Sequence, residues 1–247
     1  KYDPNGDYMW AKSIEISFNG HGLSITVDDT GNIYVTGYFV GTADFDPGAD
    51  TAYLTSINNT EDIFFAKYDT NGNYLWAKSI GSTLDDYGQS ITVDDTGNVY
   101  VTGSFNDTAD FNPGADTAYL TSINSDDIFF AKYDPNGDYL WAKSIGSTLE
   151  DYGYSIAIDG KGNVYMTGTF YGTADFDPGV GTAYLTLTVA GTAFDIFFAK
   201  YDPNGNYLWA KSIGDVGGDY SYSIVLDDTG NVYLTGYFGF TVDFDPG

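Results

Sequence analysis

One eight-residue phrase governs this chain. It stands as "KYDPNGDY" at Lys1, returns as "KYDTNGNY" at Lys67 and "KYDPNGDY" at Lys132, and closes as "KYDPNGNY" at Lys200. The intervals are 66, 65 and 68 residues. A period so regular marks a repeat architecture, in which each copy buries its apolar face against its neighbours. Site chemistry is therefore read per repeat. The repeats specify a fold closely and an activity hardly at all.

Composition narrows the partners. The chain has 247 residues, 43% of them hydrophobic, which is enough for a substantial core. Its net charge is -26 and it contains no Arg, so the usual electrostatic routes to nucleic acid and anionic lipid are closed. All but three of the 35 acidic residues are Asp, the exceptions being Glu15, Glu61 and Glu150. Asp suits turns and oxygen-ligand metal sites, because its short carboxylate reaches nearby backbone donors. Cysteine is absent, which removes disulfides and thiolate metal sites. No apolar run is long enough to insert in a bilayer as a helix, and Lys1 lies inside a repeat rather than a signal peptide.

One copy shows the plan. "GQSITVDD" places Ile91 and Val93 on one face of a strand. "DDTGN" follows as a hairpin turn, with Gly97 and Asn98 suited to positive φ. "NVYVTGSF" is the return strand, and "NDTADFNPGADTAYLTSINSD" a turn-rich segment after it. "DIFFAKYD" reads as a third strand, "DPNG" as a second hairpin with Pro135 fixing φ, and "DYLWAKSIG" as a fourth strand. Four antiparallel strands joined by tight turns and repeated describe the blade of a β-propeller. A β-solenoid is the alternative, but its coils are shorter and lack paired hairpins. The expected fold is all-β: a single propeller over 1–247, with repeat units at 1–66, 67–131, 132–199 and an incomplete 200–247. Each blade carries an Asp/Pro/Gly-rich extension between strands two and three.

"GQSITVDDTGNVYVTGSF" followed by "DIFFAKYDPNGDYLWAKSIG" resembles the bacterial β-propeller repeat known as the SBBP repeat, and more distantly NHL-type blades. The resemblance runs through all four copies. It implies a secreted or cell-surface setting, a binding or structural role, and no shared catalytic residue set.

The first residues supply the end of a third strand and a whole fourth strand, whereas the last, from Ser223, supply strands one and two. An equivalent of the 18 residues from Ala49 to Ala66 is missing between them. Two expectations follow. Either the chain is cut from a longer tandem array, or a neighbouring molecule supplies the strand in a head-to-tail contact that builds filaments.

Candidate sites recur with the repeat. The motif "DFDPG" carries Asp44 and Asp46, Asp175 and Asp177, Asp243 and Asp245, and its "DFNPG" variant carries Asp110 and Asn112. Oxygens at i and i+2 in a glycine-containing loop can converge on Ca²⁺, which accepts carboxylate and amide alike. The competing reading is an Asx-type turn closed by backbone N–H groups. Trp10, Trp76, Trp141 and Trp209 hold one place in each repeat, and packing between blades is favoured over stacking on sugars. Tyr87, Tyr152 and Tyr220, on a loop before strand one, are the candidate ligand-binding residues, with carbohydrate the ligand. His21 is the only histidine, expected on a solvated loop, and forms no triad. Asn58 and Asn106 lie in N-x-Thr sequons and are candidate glycosylation sites. Carboxylates that recur in every blade look like turn chemistry rather than an active site.

The expected function is accordingly a non-catalytic, extracellular structural or adhesive propeller that self-associates with copies of itself. A calcium-dependent module for a glycan or a surface protein is the alternative, and a polysaccharide-active enzyme a more distant one.

Overall fold

The computed structural model describes residues 1–187 and 193–245. Each repeat folds as its strand pattern dictates. The first blade comprises β1 (Gly20–Val27), β2 (Ile33–Phe39), β3 (Asp62–Tyr68) and β4 (Tyr74–Ile80). The second comprises β5 (Tyr87–Val93), β6 (Val99–Phe105), β7 (Asp127–Tyr133) and β8 (Tyr139–Ile145). The third comprises β9 (Tyr152–Ile158), β10 (Val164–Phe170), β11 (Asp195–Tyr201) and β12 (Tyr207–Ile213). In each, the four strands pair antiparallel in chain order. A two-stranded sheet of β13 (Tyr220–Leu226) and β14 (Val232–Tyr237) follows. Among the described residues the architecture is thus three complete blades and one half-blade. The strands begin about twenty residues after the "KYD" phrase, so blade and sequence repeat share a period but not a phase.

The inner strands β1, β5, β9 and β13 pack on one another in that order. Each carries a bulge near its start, between Gly22 and Ser24, Gly88 and Ser90, Gly153 and Ser155, and Ser221 and Ser223. The serine after the bulge ties blade to blade. Ile91 N donates to Ser24 Oγ at 3.3 Å, Ile156 N to Ser90 Oγ at 3.4 Å, and Ile224 N to Ser155 Oγ at 3.2 Å. Opposite the bulge sit Gly37, Gly103, Gly168 and Gly236, where a Cβ would run into the carbonyl of His21, Tyr87, Tyr152 or Tyr220. That close approach explains the glycine inside an otherwise β-branched strand.

The Asp/Pro/Gly-rich segments differ from the sequence expectation. They contain short hairpins, Thr42–Asp44 with Tyr53–Thr55, Thr108–Asp110 with Tyr119–Thr121, and Thr173–Asp175 with Tyr184–Thr186. Their bases do not simply project. The "DFDPG" phenylalanine turns inward in the complete blades: Phe45, Phe111 and Phe176 are fully buried against Phe39 and Phe64, Phe105 and Phe129, and Phe170 and Phe197. The "KYD" tyrosine then locks the motif from the side. Tyr68, Tyr133 and Tyr201 donate their hydroxyls to the carbonyls of Phe45, Phe111 and Phe176, each at 3.1 Å. Extension and blade are therefore one packed unit. Phe244, the last copy, meets Phe238 but remains 59% exposed.

Removing a fully buried phenylalanine ring costs about 3–5 kcal/mol. Phe111→Ala should lower unfolding free energy by about that amount in urea titrations, and Phe244→Ala by well under half of it. Equal losses would refute the anchoring role.

Candidate functional site

Most recurrent aspartates are committed to backbone. In the first-to-second-strand turns, Asp28 Oδ1 accepts from Thr30 N, Thr30 Oγ1 and Asn32 N at 2.7–2.9 Å, and Asp94 and Asp227 repeat this pattern. In the third-to-fourth-strand turns, Asp69, Asp134 and Asp202 accept from the backbone N–H groups two and four residues on. Partial burial pushes the Asp28 carboxyl up, but hydrogen bonds from Thr30, Asn32 and Tyr34 outweigh it and bring it down to about 2.

The "DFDPG" carboxylates behave similarly. Asp44 Oδ1 accepts from Asp46 N at 3.1 Å and Ala52 N at 2.8 Å, and Asp46 Oδ1 from Gly48 N at 2.7 Å. Asp110 with Asn112, and Asp175 with Asp177, keep the same partners in their copies, while Asp243 accepts from Asp245 N at 3.0 Å. Oxygens facing N–H donors form Asx turns. Among the described residues no three acidic or imidazole groups converge as a metal site.

Trp76 and Trp141 seal the junctions between complete blades. Trp76 lies edge-on to Tyr34 and Phe65, and its Nε1 donates to Pro135 O of the next blade at 3.2 Å. Trp141 and Trp209 hold equivalent places against Tyr100 and Phe130, and Tyr165 and Phe198. Trp10 packs on Gly72 of the first blade's turn.

The candidate tyrosines are corrected in position. Tyr87, Tyr152 and Tyr220 open the inner strands instead of lying on a loop, because each strand starts directly after Asp86, Asp151 or Asp219. They stand at the rim opposite the hairpin turns. His21 is likewise on β1, not on a loop, with its ring 5.0 Å from Tyr38. Asn58 is exposed at positive φ in a short 3-10 turn, Ile57–Asn59. Asn106 lies beside Tyr87 and Tyr152 in a cleft of about 300 Å³, its backbone N–H donated to Asp86 at 3.0 Å. The irregular third-copy phrase "TLTVAGTAF" falls largely on 188–192, outside the described residues.

Beneath this rim lie buried carboxyls. Asp62 and Asp86 meet at the first junction and Asp127 and Asp151 at the second, and Asp195 and Asp219 occupy the same places at the third. Asp86 accepts from Ser82 N at 2.6 Å and Asn106 N at 3.0 Å, while Asp127 accepts from Ile123 N at 3.1 Å. Asp127 Oδ1 and Asp151 Oδ2 are buried without a hydrogen-bond partner. Burial raises Asp62, Asp86 and Asp151 to about 7 and Asp127 to about 8, with the neighbouring carboxylates adding to it. A proton on either oxygen removes a buried charge.

Comparison with known proteins agrees with the geometry. The family model described as "Beta-propeller repeat", SBBP, matches residues 75–110 and 140–172. Those stretches run from the fourth strand of one blade through the second strand of the next. The chain carries beta-propeller repeats. This propeller is 31% identical over 233 residues to the "Uncharacterized WD repeat-containing protein L264" of Acanthamoeba polyphaga mimivirus, covering 85% of this chain and 17% of that protein. It is 26% identical over 175 residues to the "Regulatory protein FlaEY" of Caulobacter vibrioides, covering 69% of this chain and 18% of that protein. The chain thus spans less than a fifth of the length of either relative.

The buried pairs escaped the sequence reading. Their signal was an Asp heading the apolar run "DIFF" in three copies, a charge placed where a propeller strand is otherwise buried. They make stability pH-dependent in a stated direction. Between about pH 4 and 8 the unfolded chain releases protons that the folded propeller keeps, so stability falls as pH rises through that window. The turn carboxylates, held low in the fold, act oppositely and only below about pH 4. Melting temperature should peak near pH 4–5 and drop by several degrees toward pH 8.5, and Asp127→Asn should flatten the drop. A melting temperature that climbs toward pH 8.5 would contradict this.

Proposed function

We propose that this chain is a non-catalytic structural and adhesive propeller of the cell surface or extracellular space, associating blade to blade with further copies of itself. The carrying observation is a mismatch between equivalent residues. Ile91, Ile156 and Ile224 are buried beneath the preceding blade, whereas Ile25 at the same position is 68% exposed. Beside it opens an apolar cleft of about 520 Å³, lined by Trp10, Ile14, Ile25, Val27, Val35 and Tyr68. In the next two blades the corresponding Tyr133 and Tyr201 are covered by Phe65 and Phe130, with ring centroids 4.5 and 4.6 Å apart. The face thus has the shape and chemistry that a neighbouring blade fills elsewhere in the chain. At the other end Ser223 holds the place from which Ser24, Ser90 and Ser155 each accept the next blade's isoleucine N–H.

The non-catalytic reading rests on the carboxylates, which recur with the repeat and close turns. The surface setting rests on the resemblance of the repeats. Sedimentation velocity over a concentration series tests the association: the wild-type chain should form larger species as concentration rises, and Ile25→Asp should leave it monomeric. A wild-type chain that stays monomeric at every concentration would overturn the proposal.

A further inference from the structure

The two rims of the blades differ in charge. Hairpin turns gather at one rim, and the lysines gather with them. Lys1 reaches Thr70 O and Lys67 reaches Pro135 O, while Lys78, Lys132 and Lys200 pair with Asp138, Asp94 and Asp159 at 3.3, 3.9 and 3.8 Å. Lys161 is a turn residue, Lys12 and Lys143 pack on turn glycines, and Lys211 holds on β12 the place of Lys143 on β8. At this rim the blades build a repeated trio of tyrosine, aspartate and lysine. Lys67, Lys132 and Lys200 lie 4.9, 4.9 and 4.7 Å above the rings of Tyr34, Tyr100 and Tyr165, whose hydroxyls donate to Asp28, Asp94 and Asp159. Cation over ring and carboxylate alongside is a favourable arrangement.

The opposite rim repeats two members of that trio. The Tyr152 hydroxyl donates to Asp126 Oδ2 at 3.4 Å, and the Tyr87 hydroxyl faces the Glu61 carboxylate, whose charge adds to burial in raising it. Both tyrosines wall the 300 Å³ cleft, with Asp85, Asp126, Asn106 and Thr60 between them. All nine lysines belong to the other rim, so the third member is absent here. Crowding is evident at Asp126, which burial raises and the charges of Glu150 and Asp85 raise further.

From the cleft an aromatic surface continues across the third blade. Tyr152 stacks on Tyr154 at 6.1 Å, Phe194 touches Tyr152 and Tyr220 at 5.9 and 5.8 Å, and Tyr222 meets Tyr154 at 6.2 Å. Tyr222 is 58% exposed. This surface breaks the repeat. The bulge residue is Leu23, Gln89, Tyr154 and Tyr222 in successive copies, and the residue before the third strand is Glu61, Asp126 and Phe194. Bulges re-aim side chains and often sit beside sites. Fold alone would keep these positions alike.

We infer that the Tyr87–Tyr152 cleft and the adjoining aromatic rim dock a lysine- or arginine-bearing segment of a partner protein, whose cation completes the trio. The interaction is lateral and does not depend on blade-to-blade association. It is tested by calorimetry with a short alternating lysine–glycine peptide, its glutamate counterpart and a neutral chitin oligosaccharide, at concentrations where the chain is monomeric. The lysine peptide should bind and the glutamate peptide should not. Asp126→Asn and Tyr222→Ala should each weaken binding about threefold or more, while Asp138→Asn on the turn rim leaves it unchanged. Tyr222→Ala removes an exposed ring, so it remains informative if Asp126→Asn perturbs folding. Three results would overturn the inference: no binding, an equal loss with Asp138→Asn (a response to net charge alone), or binding of the oligosaccharide in place of the peptide.

Discussion

Each inner strand after the first is completed by the blade before it, and the rest of the molecule follows from that dependence. A bulge places a serine so that its hydroxyl accepts the next blade's isoleucine N–H, and the isoleucine is buried in the same step. The bulge forces a glycine onto the partner strand. The same local device thus stitches the blades, dictates a sequence constraint, and creates the variable positions Gln89, Tyr154 and Tyr222.

The acidity resolves into two populations with opposite physics. The turn aspartates accept several N–H and O–H donors apiece, which favours their ionised form and closes the hairpins. The junction aspartates are buried next to one another, where two charges are unfavourable and a retained proton is favourable. A net charge of -26 therefore overstates the charge the fold must tolerate near neutral pH. Segregation of the lysines to the turn rim leaves the other rim acidic and aromatic, an asymmetry that composition alone conceals.

Much of this was legible in the sequence because the repeat reports the same environment several times. Strand order, both hairpin turns and the packing of Trp76 and Trp141 follow from alternation and turn residues. The phase of the blade follows from its two hairpin turns as well, but the serine that ties one blade to the next was not legible. Nor was the anchoring of "DFDPG": its phenylalanine looks like one more loop aromatic until Tyr133 is seen to donate to the Phe111 carbonyl. The acidic and glycine neighbours of Tyr87 and His21 imitate turn composition, yet both are strand residues. The Asp127–Asp151 pair brings together residues on different blades, a contact that no local pattern encodes.

The central claim is that a preceding blade stabilises each inner strand, and amide hydrogen exchange on dilute protein at a single pH reads it directly. The amides of Ile91, Ile156 and Ile224 should exchange slowly, while that of Ile25, on which no blade packs among the described residues, should exchange orders of magnitude faster. Equal protection of Ile25 in monomeric protein, or rapid exchange at Ile156, would contradict the account.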